Sequence, residues 1–228
     1  MKKTLGLIGL FVLLAALCPP VTQRFAILPT FGGVNEACTL ILDPGHGGFD
    51  GGAQSADGTT EQYINLCIAR EVQSLCGLFG ERSILTRDSE DALDFKTGRS
   101  IHENKVADIQ ARQRIAEEIP NGVFLSIHLN KFEQSQYYGA QTFYSRNDSR
   151  SQTIAESIQS ALIEGIPNGN TRKAKPSPET VYLMKKLKCP ALIVECGFLS
   201  NPDEALALRE PSYQKKLALC ILCGYLSA

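Results

Sequence analysis

Two histidines and two glutamates carry the chemistry that this 228-residue sequence offers. The chain has only three histidines, and two of them follow short apolar runs. Leu40-Ile41-Leu42 leads through Asp43-Pro44-Gly45 to His46, and Val123 to Ile127 leads directly to His128. A third apolar run, Ala191 to Val194, ends in the same way at Glu195. Two imidazoles and one carboxylate form a known ligand set for a hydrolytic zinc ion, with a further position left to water. Such an ion lowers the pKa of water to about 7 and polarises a carbonyl oxygen. A second carboxylate that does not touch the ion can take the water's proton and pass it to a leaving amine. Glu61 and Glu195 are the candidates for those two jobs, and spacing alone does not assign them.

Simpler readings compete at each position. Glycines at 45, 47, 48, 51 and 52 give the His46 turn the freedom of a phosphate-cradling loop. That reading fits poorly, because residue 50 is Asp where a third glycine is needed, and no Gly-Lys-Ser/Thr follows. Glu61, taken by itself, is accounted for by the first turn of a helix, where a carboxylate complements the dipole and Thr59 and Thr60 are caps at hand. His102 lies among polar residues and reads as a surface histidine. Ser126 and Asn130 flank His128 and could orient ligands, with packing or turn capping an equal reading.

The elements that must hold these side chains alternate between strands and helices. Ile64, Ile68, Val72, Leu75 and Phe79 recur at helical spacing and predict a helix opening at Glu61. Ser83 to Thr86 reads as a short strand, 89–105 as a polar loop, and Val106 to Ile119 as a helix stopped by Pro120-Asn121-Gly122. Gln141 to Ser145 alternates as a strand, and a helix is expected from Gln152 to Glu164. Prolines at 167, 176 and 178 mark 167–180 as a loop, whose Arg172, Lys173 and Lys175 read as a solvated charge run. Tyr182 to Met184 reads as a brief strand, and helices are expected near Asn201 to Glu204 and from Tyr213 to Leu226. The pattern predicts a single α/β domain with a mostly parallel, mixed central sheet and helices on both faces. Ligands are expected beyond the carboxyl ends of its strands.

A net charge of -1 removes the whole-protein case for nucleic-acid binding. Aromatic residues make up 7% of the chain and tryptophan is absent, which weakens the case for a carbohydrate platform of stacked rings. Lys2 and Lys3 followed by the apolar run Leu5 to Leu17 predict an export signal or an N-terminal membrane anchor over 1–20. Residues 21–37 read as a linker and 38–228 as the catalytic domain. The eight cysteines read as neither a disulfide framework nor a metal site, because most lie within apolar patterns where a free thiol packs as a small hydrophobe. Cys220-x-x-Cys223 has no second pair to complete a structural site.

Four spaced blocks carry a resemblance: LDPGHGGFDGGA, Glu61 with INLCIA, SIHLN at 126–130, and IVECGFLSNPDEA at 193–205. From about Leu40 to Tyr225 the chain resembles the zinc-dependent N-acetylmuramoyl-L-alanine amidases. Arg112, between Ile109 and Ala116, also matches a helix pattern of that family, while Glu117 stands where asparagine is expected. The resemblance implies zinc held by His46, Glu61 and His128, with Glu195 as the catalytic glutamate. It implies hydrolysis of the amide between muramic acid and L-alanine in peptidoglycan. Lys105 through Arg112 leading into FLSIHLN, and YGAQTFYS at 138–145, are similar to the short amidases of spore-forming bacteria that act on spore cortex peptidoglycan and prepare it for germination. No residues are expected to remain for a separate wall-binding domain, so targeting is expected to depend on the anchor or an accessory partner protein. Two other readings are a zinc peptidase cutting within the stem peptide and an inactive binding protein of the same fold.

Overall fold

Apolar runs that alternate with helices bury both of their faces, and here they do so in one six-stranded sheet. A computed structural model describes residues 38–228; the leader and linker read over 1–37 lie outside the described residues. Strands β1 (Thr39–Pro44), β2 (Arg82–Leu85), β3 (Gly122–Asn130), β4 (Gln141–Tyr144), β5 (Lys175–Pro176) and β6 (Ala191–Phe198) stand in the order β2-β1-β3-β6-β4-β5. The first four in that order run parallel, and β4 pairs antiparallel with β6. The helices are α1 (Glu61–Phe79), α2 (Ile101–Glu118), α3 (Arg150–Gly165), α4 (Tyr182–Lys186), α5 (Pro202–Arg209) and α6 (Pro211–Leu226). The predicted mixed α/β domain is therefore the one observed. Among the described residues no helix is long and apolar enough to cross a membrane.

The period of two along each strand sorts the core into two halves. On one face Leu40, Leu42, Leu125, Ile127 and Val194 pack with Ile64 and Ile68 of α1, Ile158 of α3 and Ile221 of α6. On the other, Ile41, Phe124 and Ala191 meet Ala116 of α2, Met184 of α4 and Leu187. Each fully buried aliphatic or Phe side chain contributes about 1.5–3 kcal/mol of transfer free energy. The larger half fixes α1, and the smaller half fixes α2 and α4 over the opposite face.

Three sequence expectations are corrected. Helix α2 begins at Ile101 rather than Val106, because Ser100 and Glu103 form a reciprocal capping box: the Ser100 side chain accepts from the Glu103 N–H, and the Glu103 carboxylate accepts from the Ser100 N–H. Its buried positions Asn104, Asp108 and Arg112 are polar, so an apolar period was absent where the helix starts. Tyr182 to Met184 is helical within α4, not a strand; five residues cannot show a period, and burial of Met184 decides the conformation. The loop 167–180 contains β5, and Arg172 is no solvated cation: it donates to the Tyr138 carbonyl and to Gln141, and its guanidinium lies 4.7 Å from the Phe198 ring centroid. Despite the low aromatic content, Phe132 and Tyr137 gather beside that same ring. The described cysteines are unpaired, with Cys76, Cys196 and Cys220 buried.

Candidate metal centre

The chain leaves β1 for α1 on one face of the sheet and enters β3 from α2 on the other. Between two such strands a crevice opens at their carboxyl ends. His46 lies two residues beyond β1, His128 near the end of β3, and Glu61 at the first position of α1, so the topology brings three distant residues to one crevice. His46 Nε2 lies 3.2 Å and His128 Nδ1 3.0 Å from the same Glu61 oxygen, Oε1. The rings meet edge to face at 5.0 Å, and one donor atom from each of the three residues falls within 4.8 Å of the others. Two imidazole nitrogens and a carboxylate oxygen converging on one small volume suit a divalent transition-metal ion. Histidine-ligated sites also hold the remote ring nitrogen with a carboxylate. Here Asp50 does so for His46, with Oδ2 3.2 Å from Nδ1.

The room for these side chains is made by missing ones. A Cβ at Gly45 would stand 2.2 Å from the His128 ring, and one at Gly52 would stand 2.6 Å from Glu61 Oε2 and 2.7 Å from the His46 ring. His46 itself has a φ of +64°, a conformation that costs a histidine about 1–3 kcal/mol and persists only where its surroundings enforce it. Two buried guanidinium groups do this. Arg112 donates to the Pro44 carbonyl at 2.8 Å and the His46 carbonyl at 2.5 Å, while also binding Asp108 at 2.7 Å and Asp43 at 2.5 Å. Arg87 donates to the carbonyls of Pro44, Gly45, Gln62 and Ser89 at 2.8–3.0 Å. Asp43 takes further hydrogen bonds from Thr86 at 2.7 Å and Ser126 at 2.6 Å, which gives Ser126 its role. Glu61 is 3% exposed, and its carboxylate accepts from the N–H groups of Ala53 at 2.8 Å and Leu129 at 3.0 Å.

Charge follows from these contacts. Burial pushes the Glu61 pKa up, but the two imidazoles outweigh it and hold the carboxyl below its ordinary range. Burial pushes His46 down, yet hydrogen bonds to Asp50 and Glu61 leave it raised to about 9 in the metal-free protein. Asp43 is likewise held low, with Arg112 overcoming its burial. Glu195 behaves oppositely. It is the register partner of His128 on the neighbouring strand, so both project to the same face. Its Oε2 is buried without a hydrogen-bond partner, and burial raises its pKa to about 7. A carboxyl that titrates near neutrality is suited to take up and give back a proton.

His46, Glu61 and His128 therefore converge beyond the carboxyl ends of β1 and β3. Glu195 is held beside His128 inside β6, which runs on to Phe198 instead of ending at Glu195 as the apolar run suggested, and His102 is exposed elsewhere. Asp43, Asp50 and Arg87 were missed as members of the site. Asp50 carried a usable signal, four residues from His46 within the glycine turn; Arg87, a lone arginine after a short strand, carried none. A small cleft of about 190 Å³ opens beside His46 and His128, walled by Ile109 of α2, Ile193 of β6 and Leu183 and Met184 of α4.

The sequence profile of the N-acetylmuramoyl-L-alanine amidase family matches residues 40–225. The germination-specific N-acetylmuramoyl-L-alanine amidase of Bacillus subtilis is 35% identical over 187 residues, covering 82% of this chain and 78% of that protein. The amidase LytC of the same organism is 32% identical, over 83% of this chain and only 35% of its own length. Among solved structures, the CwlD amidase from Clostridioides difficile, in complex with the GerS lipoprotein, superposes with a TM-score of 0.79 at 38% identity, covering 83% of this chain and 98% of that one. The amidase AmiC2 of Nostoc punctiforme gives 0.69 at 26% identity, over 83% and 96% of the two chains.

Proposed function

The chain belongs to the N-acetylmuramoyl-L-alanine amidase family and is a peptidoglycan amidase, and we propose that it works with zinc held by His46, Glu61 and His128 on the peptidoglycan of the spore cortex. The observation that carries the reading is the convergence of those three side chains beside a buried carboxylate with an unpartnered oxygen. When bound, the ion would supply Lewis acidity toward the lactyl carbonyl and toward a water. The remaining work falls to this chain's own groups. Glu195 accepts the proton released by the attacking water at its unpartnered carboxylate oxygen and delivers it to the departing alanine nitrogen. Its raised pKa makes both transfers accessible near neutral pH. Asp50 holds His46 Nδ1, so that Nε2 faces the centre. The Arg87 and Arg112 contacts keep the His46 turn from rearranging between turnovers.

The germination-specific relative supports a role in cortex maturation, and cell-wall relatives support action outside the cytoplasm. The CwlD amidase solved with the GerS lipoprotein supports an accessory protein partner for this chain as well. The test is to incubate the purified protein with cortex peptidoglycan and assay newly freed alanine amino groups. They are expected to appear, to vanish with chelator and to return with added zinc. Cleavage inside the stem, with alanine still attached to muramic acid, would overturn the reading in favour of a stem peptidase. Binding without any freed amine would point to an inactive wall-binding protein.

A further inference from the structure

A substrate of this amidase has two unlike halves, a glycan strand and a branching stem peptide, and the cleft beside the centre discriminates between them. A glycan strand continues in both directions past its muramic acid and needs open surface. A stem is a branch with one attachment and can enter a concavity bounded by two helices. The cleft is apolar along Ile109, Leu183, Met184 and Ile193, and two cations border it, Arg112 and Lys105. Arg112 is already engaged by two carboxylates and two carbonyls. Lys105 makes one ion pair, 3.1 Å from Nζ to Asp50 Oδ1, with its side chain 47% exposed. An ammonium has three donors, and a half-exposed pair of this kind is weak, so Lys105 keeps donors with which to bind a second carboxylate alongside Asp50.

We propose that Lys105 determines specificity in this cleft by binding a carboxylate on the second stem residue, the one beyond the alanine whose nitrogen is released. This rests on the amidase reading of the His46, Glu61 and His128 centre. The position follows from reach. Lys105 is separated from that centre by the Asp50 carboxylate and the His46 ring, and each extended residue spans at most about 3.6 Å. The alanine at the centre is too near for its own groups to meet the ammonium, whereas the next residue can.

The experiment compares two soluble glycan fragments bearing stem peptides, one with a free α-carboxylate on the second stem residue and one with a carboxamide there. The wild-type protein is expected to favour the carboxylate form by about tenfold or more in kcat/KM, the scale of one charge-assisted hydrogen bond. Lys105→Met should erase that preference through KM, with bound metal unchanged, and Lys105→Arg should keep most of it. Equal rates of wild type on both fragments would overturn the proposal while leaving the amidase reading intact. So would a Lys105→Met protein that is slowed equally on both, since Lys105 would then act only through Asp50. If the wild type opens a different bond or neither fragment, the amidase reading fails and this proposal fails with it.

Discussion

The turn after β1 and the Glu195 carboxylate within β6 flank the same centre under opposite regimes. Around His46 the carbonyls and charges that support the turn are paired: Arg112 and Arg87 clamp the carbonyls of residues 44–46, and Asp43 collects Thr86, Ser126 and Arg112. The amide oxygens of Gln62 and Asn65 are the buried neighbours left without a partner. Glu195 keeps one buried oxygen with no partner. The contrast separates two demands. Ligands to an ion work by holding still, so the charged groups and main-chain carbonyls that support them are paired. A group that trades protons must lack a permanent partner, and the cost of leaving it bare appears as a raised pKa.

Substitutions at the two regions should therefore fail differently. His128→Ala is expected to lose both bound metal and all measurable activity; undiminished metal content in that protein would refute its assignment as a ligand. Glu195→Gln should lower kcat by about 10²–10⁴-fold while metal content and folding stay as in wild type, as read by metal analysis beside the amine assay. If that variant instead lost its metal, the two regions would not be functionally distinct. Arg112→Met leaves Asp43 and Asp108 buried and unpaired, and denaturant unfolding should register a loss of about 3–5 kcal/mol.

A pH titration of metal uptake sharpens the contrast further. His46 keeps its proton up to about 9 in the metal-free protein, and an ion must displace that proton. Apparent metal affinity should climb about tenfold per pH unit between 7 and 9, and a flat profile would contradict the Asp50 and Glu61 contacts. Because the folded pKa is raised, the same proton stabilises the metal-free fold fully below about 6.5, the ordinary imidazole value, and that stability is lost as pH rises through about 9. The smallest effect is expected at Thr86→Val, which removes a single hydroxyl from Asp43 and should cost about 1 kcal/mol with no change in turnover.

Where apolar spacing governed, the sequence was legible: α1 was expected to open at Glu61 with apolar positions recurring out to Phe79, and it spans Glu61–Phe79. The strands that lead to His46 and His128 were likewise read from apolar runs, whereas β6 runs past Glu195 to Phe198 because its polar Glu195 and Gly197 hid the continuation. The start of α2 was hidden because its inward side is built from Asn104, Asp108 and Arg112, residues that usually mark an outer face. The same choice hid the support of the site, since buried ion pairs between positions 43 and 112 have no local signature. Family resemblance singled out Arg112; only the fold shows that its guanidinium reaches the main chain of the His46 turn.

The left-handed backbone of His46 has a consequence for engineering. A loop whose key ring occupies an unfavourable torsion cannot carry its binding power with it. Transplanted into another scaffold without the arginines that enforce that geometry, the segment from Asp43 to Glu61 would relax, and its imidazole would swing away from the glutamate. Activity of this kind is inherited by whole domains, and a short grafted peptide would not reproduce it.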